Sequence, residues 1–142
     1  MVAETDFHGA KVALFFGDEL LVYRRDDHPD IPFPNMIDLP GGGRENGESG
    51  RECVVRETRE EFGINIDAQS LQFAESYENW RGAGPGALFF TGQLTSDQIG
   101  AIRFGDEGQG WHLMPVPEFL ESMEVVPHLR QRLQAWLDKE LT

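Results

Sequence analysis

Residues 39–64, LPGGGRENGESGRECVVRETREEFGI, constrain this chain more than any other stretch. Three consecutive glycines, Gly41 to Gly43, lead into a segment with helical periodicity over 49–63, and Gly63 stands where a helix should stop. At about 100° per residue, with Glu57 taken as zero, Glu60 falls at about −60° and Glu61 at about +40°. Val54, Val55, Thr58 and Phe62 lie roughly 60° to 160° away. The helix therefore has an apolar stripe that must pack on a core and a separate face bearing three carboxylates.

Carboxylates at i, i+3 and i+4 repel one another, and Arg56, four residues before Glu60, relieves only part of that. Such a face is either an ordinary solvated surface or a seat for a hard cation. Mg²⁺ takes one or a few carboxylates together with phosphate oxygens and water. The glycines would let backbone approach such a site closely, and Glu48 adds a fourth carboxylate.

With 142 residues the chain reads as one domain, 1–142, with residues 1–8 as a loose N-terminal arm. A chain of this size buries roughly 68% of its unfolded surface and needs no staple. The single Cys53 excludes an internal disulfide framework and a cysteine-based zinc site. A net charge of −13 argues against nonspecific binding to nucleic acid or to an anionic membrane. It also means that a polyanionic substrate would need bridging cations. No apolar run is long enough to span a bilayer, and the first residues lack signal-peptide character, so a cytoplasmic location is expected.

The rest of the chain alternates. Segments 10–16 and 19–25 read as a hairpin around Gly17-Asp18, and 26–35, with three prolines, as a loop. Segment 36–43 reads as a short strand entering a glycine-rich loop. Segments 71–80 and 86–94 read as strands, 95–102 as a short helical turn, and 107–116 as another strand. Segments 117–123 and 126–141 read as helices, the latter with an apolar stripe of Leu129, Leu133, Trp136 and Leu137. This order predicts a layered α+β or α/β domain.

The 39–64 stretch resembles the signature of the Nudix hydrolases, the family that includes MutT-type nucleotide pyrophosphatases. The family pattern is G-x5-E-x7-R-E-U-x-E-E-x-G-U, with U a bulky aliphatic residue. Gly42, Glu48, Arg56, Glu57, Glu60, Glu61, Gly63 and Ile64 stand at matching places. Thr58 departs from the pattern, and its place on the core side predicts a packing adjustment only.

The resemblance implies an α/β/α sandwich with a mixed sheet, the box forming loop–helix–loop. It implies Mg²⁺- or Mn²⁺-dependent hydrolysis of a nucleoside diphosphate linked to another moiety. Glu57, Glu60 and Glu61 would hold metal with the Gly41 carbonyl, and Glu57 could also act as base. Arg56 would orient the carboxylates, and Glu48 would brace the loop behind Gly42. The run EGQ followed by Trp111 resembles MutT proteins in which that glutamate, here Glu107, faces the metals as ligand or base. An exposed loop glutamate is the other reading. Where MutT proteins carry an asparagine shortly before a proline, this chain has Val125 and Val126 before Pro127, which argues against specificity for an oxidised guanine.

Arg24 and Arg25, at a strand end near the glycines, could meet phosphate or simply be solvated. Tyr77 or Trp80 could stack a base or belong to the core, and Trp111 and Cys53 read as core. The 26–35 segment could form a lip over substrate or be a plain surface loop. The partner expected is a small-molecule nucleotide, with no stable nucleic-acid or membrane contact, in a monomer or homodimer. The competing reading is a module on the same fold that senses a nucleotide without cleaving it.

Overall fold

The computed structural model describes residues 7–79, 82 and 84–141. Seven strands form one mixed sheet: β1 (Gly9–Phe16), β2 (Glu19–Arg24), β3 (Ile37–Asp38), β4 (Gly41–Gly43), β5 (Gln72–Tyr77), β6 (Ala87–Gln93) and β7 (Gly110–Pro115). The helices are α1 (Gly50–Phe62), α2 (Ser96–Gly100), α3 (Val116–Glu121) and α4 (Pro127–Glu140).

β1 is the organising strand. One edge pairs from Gly9 to Phe15 with β6, in parallel. The other edge is shared: Phe15 and Phe16 pair with β2, while Gly9, Ala10 and Lys11 pair with β4. Beyond β2 lie β3 and β7, and beyond β6 lies β5. Because side chains alternate across a strand, Val12 and Leu14 join Leu88, Phe90, Val54 and Phe62 on one side of the sheet. Ala13 and Phe15 join Phe89, Leu129, Leu133 and Phe119 on the other. The sheet thus lies between α1 and the α3–α4 pair, as the family resemblance implies.

α1 begins and ends where its sequence dictates. Ser49 and Glu52 form a reciprocal capping box, and Gly63 closes the helix at φ 69°. Its core face is Cys53, Val54, Thr58 and Phe62. Thr58 is fully buried, and among the described residues its Oγ1 has no hydrogen-bond partner. The departure from the aliphatic pattern therefore leaves a buried hydroxyl unsatisfied.

Several expectations need correction. Phe7 is buried in the core and the His8 N–H donates to the Gly86 carbonyl, so these two residues are pinned, not part of a loose arm. The three glycines are a paired strand rather than a loop, because β1 offers them a free edge. The last strand starts at Gly110, which leaves Glu107 in the preceding turn. Trp80 lies outside the described residues. Among the described residues no helix is long and apolar enough to cross a membrane.

Candidate active site

The carboxylate face of α1 is turned toward β4, and backbone pairing with β1 holds that strand in place. The Gly41 N–H donates to Glu61 Oε1 at 3.0 Å. Burial pushes the Glu61 carboxyl up to about 8, against the pull of Lys11 and the Gly41 N–H; Asp38 and Glu57 push it the same way. Burial also raises Glu57, and Arg56 opposes that shift. The Glu57 carboxylate lies directly over Gly42, where a Cβ would fall 1.9 Å from its Oε2. Glu60, by contrast, leaves 54% of its side chain exposed.

Arg56 is the hub of this face. Its guanidinium donates to Glu48 at 2.7 and 3.0 Å, to Glu57 at 2.9 Å, to Glu60 at 3.1 Å and to the Gly43 carbonyl at 2.8 Å. Glu45 completes the set at 3.2 Å. These hydrogen bonds, that to Glu48 foremost, raise the Arg56 pKa, and the same contact holds Glu48 below the usual carboxylate range. Glu48 also accepts from the Glu45 N–H at 2.9 Å, so one carboxylate ties the 44–48 turn to α1. Cys53 is buried beneath, its thiol pushed up to about 12 by burial and then by Glu48.

A second cluster lies beside β4 and was not expected from the sequence. Asp38 is 2% exposed. It accepts from Lys11 Nζ at 3.0 Å, Arg25 at 2.8 Å, the Tyr23 hydroxyl at 3.1 Å and the Leu39 N–H at 2.7 Å. Burial alone would raise its pKa; the two cations outweigh that and lower it. Tyr23 is raised well above its ordinary value, by burial first and then by Asp38. Lys11 also donates to the carbonyls of Leu39 and Gly41, at 3.1 and 3.2 Å. A cation thus already sits on the Gly41 carbonyl. The available signals were one acid between Ile37 and Leu39 and one lysine inside AKVALFF. Neither carries a motif.

Of the two arginines, Arg25 binds Asp38, whereas Arg24 pairs with Glu124 at 3.2 Å and donates to the Asn35 carbonyl. Glu107 is exposed and lines a cavity of about 310 Å³ with Tyr23, Arg25, Asp26, Ile31 and Gly108. Its loop is docked on α1, since the Arg103 and Gly105 N–H groups donate to the Phe62 and Glu61 carbonyls at 2.8 Å. The structure brings Glu57, Glu60 and Arg56 together and sets Glu61 against Gly41. Among the described residues no three His, Cys, Asp or Glu side chains close on a common point.

The donors nevertheless suit a hard divalent cation, being carboxylate and carbonyl oxygens. Two of the carboxylates, Glu57 and Glu61, are held in a setting that disfavours their charge. Next to the glycine strand a cavity of about 210 Å³ is lined by Lys11, Arg25, Gly42, Gly43, His128 and Arg132, among others. A further cavity of about 220 Å³ adds Pro32, Phe33 and Val126, so the proline-rich segment does border this cleft. Tyr77 is partly exposed and carries Arg132 over its ring, while Trp111 packs against the core.

A sequence model described as the NUDIX domain matches residues 7–136. No curated protein matches the chain. Among solved structures, a MutT protein from Methanosarcina mazei Go1 superposes with a TM-score of 0.78 at 19% identity, covering 99% of this chain and 100% of that one. A C. elegans Ap4A hydrolase superposes at 0.66 and 16% identity, covering 94% and 98%. The NUDIX domain of Shewanella oneidensis NrtR, complexed with ADP ribose, superposes at 0.70 and 19% identity, covering 96% and 89%. At these identities the likeness is one of fold.

Proposed function

Because the chain belongs to the Nudix family of pyrophosphohydrolases, we propose that it hydrolyses a phosphoanhydride bond in a nucleoside diphosphate linked to another moiety, using Mg²⁺ or Mn²⁺. The observation that carries this reading is the placement of Glu57 and Glu61. Both are partly buried carboxylates with raised pKa values, packed against the glycine strand. A divalent cation would offset both the desolvation and the mutual repulsion of such a pair once ionised.

Glu57, Glu60, Glu61 and the Gly41 carbonyl would hold the ion, with Glu107 as a further ligand or base. When bound, the ion neutralises phosphate oxygens and lowers the pKa of the attacking water. The chain supplies the rest. Arg56 fixes the carboxylates of Glu57 and Glu60 while Glu48 fixes Arg56. Gly42 leaves the space that the Glu57 carboxylate occupies. Glu57 or Glu107 receives the water proton on a carboxylate oxygen. Lys11 and Arg25, sharing one Asp38, leave positive charge on the cleft floor to orient phosphate. The protein works as a single cytoplasmic domain, monomeric or homodimeric, without nucleic acid or membrane.

Structural neighbours named for Ap4A hydrolysis and for an ADP-ribose complex support a nucleotide ligand. Nucleoside triphosphates, nucleotide sugars and dinucleoside polyphosphates are the classes to screen, with and without Mg²⁺, Mn²⁺ and EDTA. We expect turnover that EDTA abolishes while the circular dichroism spectrum holds. Glu60→Gln and Glu61→Gln should each lose about 10² or more in kcat. Calorimetric binding without product release would instead establish a sensing module.

A further inference from the structure

Arg132 is a buried cation that the fold leaves without a counter-charge. It lies on α4 and is 6% exposed. Its guanidinium stacks over Tyr77, with Cζ 4.5 Å from the ring centroid. Among the described residues no hydrogen bond or ion pair meets it. Burial lowers its pKa, with only Tyr77 opposing. The other enclosed cations of the cleft each have a carboxylate partner: Lys11 and Arg25 share Asp38, and Arg56 contacts several glutamates. No Arg132 nitrogen is among the sealed, unpartnered polar atoms, and the residue lines two cavities, so its guanidinium faces open space and is set up for an anion that arrives from outside.

The cavities show where that anion would come from. Arg132 and His128, four residues apart on one helix face, line both the 210 Å³ cavity beside Gly42 and Gly43 and a second one of about 500 Å³. The larger cavity is otherwise bounded by Tyr77, Glu78 and Gln131. Glu78 is exposed and makes no ion pair with Arg132. Burial, and then Arg132, lowers His128 to about 4, so its ring is neutral at physiological pH. The Arg132 end of this cleft is therefore positive, and no described residue of α1 lines either cavity.

We propose that Arg132, with His128 beside it, binds a second phosphate of the substrate, remote from the diphosphate that is cleaved. This rests on the nucleotide-hydrolase reading above. A planar guanidinium grips phosphate through two parallel hydrogen bonds, and one face of Arg132 is already fixed on Tyr77. The phosphate can be a monoester on a ribose hydroxyl or the far end of a dinucleoside polyphosphate chain.

The first test is thermal melting in EDTA with inorganic phosphate as the probe, which needs no turnover. Phosphate at about ten times its Kd should raise the wild-type Tm by roughly 5 °C and leave Arg132→Gln unmoved. Without phosphate, Arg132→Gln should melt no lower than wild type, because it removes an uncompensated charge. Arg132→Lys should respond to phosphate only weakly. The second test compares KM for ADP-ribose against its 2′-phosphate, and for ATP against diadenosine tetraphosphate. The member with the remote phosphate in one pair should be favoured by about tenfold or more in wild type, and Arg132→Gln should remove that preference. Which pair responds identifies the source of the phosphate. Equal phosphate stabilisation of wild type and Arg132→Gln, or none in either, overturns the proposal. So does a lower Tm for Arg132→Gln with phosphate absent, which would make the residue a packing element. If no nucleotide is turned over, the hydrolase reading fails, and the phosphate melts still decide the role of Arg132.

Discussion

Gly42→Ala separates the chemistry of the site from its fold. Gly42 has no left-handed backbone angle, so an alanine is tolerated there by the main chain. The three atoms nearest its Cβ would all belong to Glu57: Oε2 at 1.9 Å, Cδ at 2.6 Å and Oε1 at 3.3 Å. Ordinary contact begins at 3.4 Å, so Oε2 must retreat by about 1.5 Å, the difference between 3.4 and 1.9. Glu57 is the end of a flexible side chain, and swinging it costs about 1 kcal/mol. A misplacement of about 1 Å at a reacting group costs roughly 10² in rate. The variant should therefore fold, melt within a few degrees of wild type and lose about 10² or more in kcat at saturating Mg²⁺. Gly41→Ala is the contrasting case. There the Cβ would fall 2.1 Å from the Ala10 carbonyl oxygen and 2.8 Å from Lys11 Cα, with φ at +132°. Those are backbone atoms of β1, so that variant should be destabilised or unfolded. The assays are steady-state hydrolysis against Mg²⁺ concentration and a circular dichroism melt. If Gly42→Ala kept kcat within threefold of wild type, the position of the Glu57 carboxylate would not matter and the mechanism above would be refuted.

The remaining predictions concern charge and burial. Glu61 titrates at about 8 in the metal-free fold and at about 4.3 in an unfolded chain. Between these values the folded state holds a proton that the unfolded state has lost, so metal-free stability falls as pH rises through that window. Glu61→Gln keeps an acceptor for the Gly41 N–H and removes this penalty. In EDTA its unfolding free energy from urea melts should match wild type at pH 4 and exceed it by pH 9, by on the order of a few kcal/mol; equal values at pH 9 would contradict the burial of Glu61. Thr58→Val replaces an unsatisfied buried hydroxyl with a methyl and should stabilise the protein by about 1 kcal/mol at unchanged kcat. A lower Tm would mean that the hydroxyl has a partner. Glu107→Gln should cut kcat by at least about tenfold with little change in melting, as for loss of a ligand or base. A drop below about threefold would place the base within α1.

The amino-acid sequence by itself determines α1, its limits and its two faces. The capping box at Ser49 and Glu52, the stop at Gly63 and the 3.6-residue period are local physics, complete within a few residues. The hairpin of β1 and β2 is local in the same sense. The parallel pairing of β1 with β6 is not, since its partners lie far apart in the chain and no short-range signal reports them. That pairing and the edge it leaves free turned the three glycines into a strand.

The electrostatics of the site divide along the same line. A helical wheel places Glu60 and Glu61 on one acidic face. Only the tertiary structure exposes Glu60 and covers Glu61, because Gly41 of β4 lies over one and solvent over the other. The Asp38 cluster joins residues from β1, β2 and β3, and Arg132 meets Tyr77 from another strand. Whether a charge is paired, shifted or left waiting depends on what packs over it, and that is decided by contacts between segments distant in the chain.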